Sequence, residues 1–100
     1  MQPTGNLHLG NYLGAIKNWV ELQKKFSCIF CIVDLHALTV PSNCKEIKKN
    51  TLEVTAAYLA SGINPDSQII FSQSSVYGHS DLAWILSCHT PIGWLNRMTQ

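Results

Sequence analysis

The sequence predicts an α/β domain built on an open, doubly wound parallel sheet, and three observations predict it. Two short apolar runs, Cys28 to Val33 and Gln68 to Ser72, are rich in β-favouring residues and bounded by turn residues. Segments of helical periodicity precede, separate and follow them. The runs do not alternate apolar with polar residues, which is the pattern of strands covered on both faces by helical crossovers in a parallel sheet.

Taken in order, the first element is an amphipathic helix over residues 10–25, opening at Leu9 or Gly10. Leu13, Ile16, Val20 and Leu22 or Gln23 recur at roughly helical spacing, with Lys17, Asn18, Glu21 and Lys24 opposite. The first strand follows and is closed by Asp34. Ser42 is a plausible N-cap for a second helix, whose pattern of Ile47, Leu52, Val54, Ala57, Tyr58 and Leu59 ends near Gly62, placed just past the last turn. An Asn64-Pro65-Asp66 turn leads into the second strand, and a third helix spans roughly His79 to His89 with Leu82, Trp84, Ile85 and Leu86. Punctuation falls at Gly5, at Pro41-Ser42-Asn43, at residues 62–66 and at residues 91–93, with no repeat and no linker, so residues 1–100 are one domain or a piece of one. Ligands of such sheets sit beyond the carboxyl ends of the strands. The turn into the first helix, Asp34 to Thr39 and Gln73 to His79 are therefore the segments in which to look for a site.

Composition excludes several classes of function. Seven Lys and Arg against six Asp and Glu give a formal charge of +1, so the chain lacks the broad basic footprint of a dedicated nucleic-acid binder, and any RNA contact is local or lies elsewhere. No apolar run approaches the ~18 to 20 residues that cross a bilayer, and the opening Gln2-Pro3-Thr4-Gly5 lacks the order of a signal peptide. A soluble, cytoplasmic protein with no membrane partner is the expectation. Cys28 and Cys31 are three apart on a strand and face opposite sides of the sheet, so buried, reduced thiols are expected for the four cysteines, and no metal site. His79, Cys88 and His89 form no tight ligand pair with a partner elsewhere. Lys45, Lys48 and Lys49 read as a solvated helix face, and Trp19, Trp84 and Trp94 as core or interface residues.

The chemistry is concentrated in residues 2–14, Gln2-Pro3-Thr4-Gly5-Asn6-Leu7-His8-Leu9-Gly10-Asn11-Tyr12-Leu13-Gly14. A helix start offers unpaired backbone N–H groups and a partial positive charge, so anions bind there. His8 and Asn11 add side-chain donors at the same end, and Gly10, without a Cβ, lets a base or phosphate approach the backbone. Donors aimed at charge developing on a phosphate lower a barrier by a few kcal/mol each. The residues by themselves fit two readings equally: a pair of helix caps, or a nucleotide corner.

His8-Leu9-Gly10-Asn11 resembles the HIGH signature of the class I aminoacyl-tRNA synthetases, and Asn in the fourth place, within QPTGxLHLGNYLGA, resembles their tryptophanyl branch. The likeness continues through residues 31–39 (CIVDLHALT) and 58–63 (YLASGI) to residues 93–100 (GWLNRMTQ), so it covers the whole chain. It implies a Rossmann-like (HUP-type) parallel sheet with flanking helices, here an incomplete catalytic domain. It further implies activation of L-tryptophan with ATP, accompanied by Mg²⁺, and transfer to tRNA(Trp), in an enzyme that is a homodimer at full length. ATP binding would involve Gln2, Thr4, His8, Gly10 and Asn11, with His8 and Asn11 at the reacting phosphates and Gly10 beneath the adenine. Gln2, near the activated carboxyl group, and His36 would contact tryptophan. Without the resemblance His36 is a hydrogen-bonded loop histidine, and Asp34 a cap or turn residue.

The sequence departs from the family's pattern at both ends. The opening strand with its Ser-Gly pair does not precede Gln2, and neither the KMSKS loop, the acidic residue that selects tryptophan nor the anticodon-binding domain follows. The expectation is that these 100 residues alone are inactive and leave apolar faces and a strand edge uncovered. Two alternatives accompany the enzyme reading: an ATP-binding module without turnover, and a tyrosyl-tRNA synthetase or related nucleotidyltransferase. Amino-acid-dependent pyrophosphate exchange separates all three.

Overall fold

The computed structural model describes residues 1–3, 7–39 and 44–98, with the side chains of Cys44 and Lys45 excepted. Thr4, the Ser42 cap and the Cys44 thiol therefore lie outside the described residues, as does the Lys45 part of the lysine face. Helix α1 runs over residues 9–22 in three consecutive parts: an α turn Leu9–Asn11, a π segment Tyr12–Ile16 and an α segment Lys17–Leu22. Strand β1 (Ile29–Ile32) leads into the single-turn helix α2 (Asp34–Ala37), then the long helix α3 (Cys44–Ala60) and strand β2 (Ile69–Ser72). A 3₁₀ turn (Gln73–Ser75) precedes helix α4 (Tyr77–His89) and the short helix α5 (Ile92–Leu95).

The two strands pair in parallel, Ile29 opposite Ile69 through Ile32 opposite Ser72, with α3 in the crossover between them. This is a partial Rossmann-like fold, the class the sequence predicts. The other edge of β1 carries one more pairing. The Met1 ammonium donates to the Cys31 carbonyl at 3.0 Å, and the Val33 N–H donates to the Met1 carbonyl at 3.0 Å, the pattern of a parallel bridge opposite Ile32. Gln2 thus leaves the sheet at the carboxyl end of β1.

The core lies on one face of the sheet. Ile16 of α1, Phe30 and Ile32 of β1, Val54 and Tyr58 of α3, and Ile63 form one buried cluster, with Trp19, Val20, Cys28 and Ile70 packed against it. Trp19 stands 5.7 Å from Phe30 and 5.6 Å from Tyr58, the latter edge-on, so three aromatic rings close the middle of the core. Each of these large side chains contributes roughly 1.5–3 kcal/mol by leaving water. Burial pushes the Tyr58 phenol up to about 12.

Several sequence expectations are corrected in detail. The strands are not covered on both faces: Ile29 and Ile69 are exposed, because α1 and α3 both pack on the Phe30 and Ile32 side. In α1 the π segment adds a residue to one turn, which rotates Leu13 out to solvent while Ile16 and Trp19 turn inward; Leu22 is exposed as well. In α3 the buried stripe is Val54 and Tyr58 with half-buried Ile47 and Thr51, spaced at helical intervals, and this leaves Leu52 and Leu59 on adjoining, exposed faces. Helix α4 begins at Tyr77 rather than His79, behind Val76, which has no capping side chain to announce it. Cys28 and Cys31 are half-buried, but Cys88 is exposed, so the expectation of buried thiols fails there.

The end of α3 follows the sequence closely. Gly62 has φ of 101°, its N–H donates to the Leu59 carbonyl at 3.0 Å, and the Ile63 N–H reaches back to the Tyr58 carbonyl at 3.1 Å. The Gln23 amide then ties this turn to the end of α1, donating to the Gly62 carbonyl at 2.7 Å and accepting the Asn64 N–H at 2.9 Å.

Candidate active site

The start of α1 is assembled by three neighbouring residues. His8 has extended backbone (φ −114°, ψ 168°) and stands as the N-cap of the Leu9–Asn11 turn. Its N–H donates to the Asn11 side-chain oxygen at 3.0 Å, and its carbonyl accepts the Asn11 N–H at 2.9 Å and the Tyr12 N–H at 3.4 Å. Asn11 therefore does act as a cap, as the plainer sequence reading has it, and that bond fixes its amide with the NH₂ left as donor. Among the described residues the N–H groups of Leu9 and Gly10 have no partner. They carry the positive end of the helix dipole.

The His8 ring lies over Gly10. A Cβ placed on Gly10 would stand 3.0 Å from both Cε1 and Nδ1 of that ring. The glycine thus has a definite steric role, since its bare backbone is what lets an exposed imidazole fold back across the helix start. One small region therefore holds two amides without a partner among the described residues, an imidazole and a carboxamide NH₂. Such a set can bind an anion and stabilise charge developing on it.

The same end of the sheet carries the other predicted residues. Gln2 is half-buried where the chain leaves Met1, and His36 is exposed on α2, its carbonyl accepting the Thr39 hydroxyl at 2.9 Å. Both sit past the carboxyl end of β1, where parallel sheets bind ligands. Thr4 lies outside the described residues. What sequence reasoning passed over is Ser74, in the 3₁₀ turn beyond β2, whose N–H donates to Asp34 Oδ1 at 2.9 Å. The signal available was the position of Asp34 at a strand end; nothing in the order of residues names a partner 40 positions away. Among the described residues no three His, Cys, Asp or Glu stand together as a metal-ligand group.

Compared with known proteins, residues 1–100 match throughout the sequence profile of the family described as tRNA synthetases class I (W and Y). The chain belongs to that synthetase family. Among curated relatives, this class I synthetase chain is 60% identical over 100 residues to the tryptophan–tRNA ligase of Brucella melitensis and 57% identical to that of Rickettsia conorii. It is covered in full in both comparisons and spans 28% and 30% of those proteins, so less than a third of their length. A tryptophanyl-tRNA synthetase of Campylobacter jejuni, solved in complex with ADP and tryptophan, superposes with a TM-score of 0.89 at 42% identity over 97% of this chain and 30% of its own. The Mycoplasma pneumoniae tryptophanyl-tRNA synthetase gives 0.89 at 34% identity over all of this chain and 30% of its own. The HIGH-like turn, the strand with its Asp34 loop and the α3 cap all lie within the matched span of this synthetase chain.

Proposed function

We propose that the chain supplies the nucleotide-gripping half of a tryptophan–tRNA ligase site, as one part of a Rossmann-like catalytic domain. The tryptophan carboxylate attacks the α-phosphorus of ATP, pyrophosphate leaves, and the resulting tryptophanyl-adenylate passes its aminoacyl group to the 3′ end of tRNA(Trp). A carboxylate nucleophile is already ionised, so the protein needs no general base and its task is placement and charge stabilisation. The observation that carries the reading is the pair of amides at Leu9 and Gly10, without a partner among the described residues, with the His8 ring folded over the glycine.

In this reading the amides, the His8 imidazole and the Asn11 NH₂ meet the phosphates, Gly10 underlies the adenine, and Gln2 and Thr4 complete the nucleotide's surroundings. Gln2 also faces the carboxyl group of tryptophan, and His36 lines the pocket for its side chain. Mg²⁺ would accompany the nucleotide and neutralise charge on its phosphates. The enzyme acts in the cytoplasm as a homodimer, and no described helix is long and apolar enough to cross a membrane. The ADP and tryptophan in the Campylobacter jejuni relative support the choice of nucleotide and amino acid.

The test is tryptophan-dependent ATP–pyrophosphate exchange in an enzyme of the relatives' full length carrying these residues. His8→Ala should slow exchange by about 10²-fold, the usual effect of losing one charge-stabilising donor, while leaving tryptophan affinity unchanged. An unaltered exchange rate would refute the role of His8. The share of the relatives' length spanned favours a second reading for the 100 residues taken alone, ATP binding without exchange.

A further inference from the structure

Asp34 closes β1, opens α2 and stands two residues before His36. Its Oδ1 accepts the Leu35 N–H at 3.0 Å and the Ser74 N–H at 2.9 Å, while Oδ2 accepts the Ser74 hydroxyl. The bond to Leu35 would suffice for a turn. The other two reach a different loop, the 3₁₀ turn beyond β2, which the Ser72 and Ser75 hydroxyls pin internally. No cation pairs with Asp34 among the described residues, so its bonding is directed to these two turns. Beside the clasp lies a cavity of about 300 Å³, lined among others by Asp34, Thr51, Ser72 and Ser74.

We propose that Asp34 is a positioning residue for the amino-acid pocket: through Ser74 it locks the β1–α2 turn, and with it His36, onto the turn that follows β2. Both strands end at the ligand edge of a parallel sheet, and hydrogen bonds to an ionised group are the strong, directional kind. The clasp sets the height and angle of α2, and so of the His36 ring, while making no contact with substrate. It rests on the assignment of His36 to tryptophan binding, and the test separates the two.

The experiment compares Asp34→Asn, Ser74→Ala, the double variant and His36→Ala in an enzyme of the relatives' full length, measuring KM for tryptophan and for ATP by pyrophosphate exchange, with near-UV circular dichroism on each. Loss of a hydrogen bond to a charged group should raise the tryptophan KM by about tenfold in each clasp variant, with ATP KM within about twofold. The double variant should be no worse than the more affected single one, because both remove one coupled interaction. Additive effects, an unchanged tryptophan KM, or equal loss of tryptophan and ATP binding with a collapsed dichroism spectrum would each overturn the proposal. If His36→Ala leaves tryptophan KM unchanged, the pocket assignment falls instead; if it raises KM while the clasp variants do not, only the clasp falls.

Discussion

Replacing Gly10 by Ala separates stability from catalysis in opposite directions. The new Cβ would stand 3.0 Å from Cε1 and Nδ1 of His8, against the ~3.5–4.0 Å at which such atoms rest. Relief requires the ring to swing away by roughly 0.5–1 Å, which an exposed side chain does at little cost. Gly10 lies in helical backbone, and the positive φ among the described glycines belongs to Gly62, so alanine meets no backbone strain. Alanine in place of glycine in a helix favours folding by about 0.5–1 kcal/mol. The folded state should therefore be as stable as the parent or slightly more so. Catalysis should move the other way, since a displacement of about 1 Å at a reacting centre costs on the order of 10²-fold, and the methyl group also occupies the approach to the Leu9 and Gly10 amides. The assay pairs thermal denaturation with tryptophan-dependent pyrophosphate exchange in an enzyme of the relatives' full length. Exchange within about twofold of the parent rate would refute the reasoning, whatever the stability, because misplacement of this size is not tolerated at a reacting phosphate.

Two further outcomes follow from the packing. The Tyr58 phenol, with an ordinary value of 10.0 raised to about 12 by burial, favours folding below pH 10, and that contribution is lost as pH rises from 10 through about 12, where the unfolded chain releases the proton first. Denaturant midpoints measured across that window should fall more steeply for the parent than for Tyr58→Phe, and identical slopes would contradict the assignment. At Gly62, where φ is 101° and an added Cβ would lie 3.7 Å from Val20 Cγ1, an ordinary contact, substitution by Ala should cost about 1–2 kcal/mol from backbone strain alone. A thermal midpoint unchanged by Gly62→Ala would show that the α3 cap does not hold this geometry.

Local signals in the sequence carried much of the fold. Gly62 marked the end of α3 because a left-handed residue there needs no Cβ, and the β-favouring apolar runs marked β1 and β2, although the expectation that both faces are covered fails at Ile29 and Ile69. The face assignments were less legible. Leu13, Leu52 and Leu59 are apolar and near the right period, yet a π turn or a shift of one position moves each out of the core, and periodicity cannot register a single inserted residue. Trp84, at 72% exposure, shows the same limit, since hydrophobicity says that a face wants cover without saying what covers it. At the candidate site, the juxtaposition of His8, Gly10 and Asn11 at the start of α1 was readable because they are neighbours in the sequence. The Asp34 to Ser74 clasp was not, because it joins two loops that only the parallel pairing of β1 and β2 brings together.

Nucleotide binding at the start of α1 is tested most directly by a crystal structure of an enzyme of the relatives' full length with a non-hydrolysable ATP analogue. Phosphate oxygens should lie within 2.7–3.2 Å of the Leu9 or Gly10 amide nitrogen and of the His8 or Asn11 side chain, with the adenine ring over Gly10. An analogue bound elsewhere, with both amides facing water, would contradict that binding.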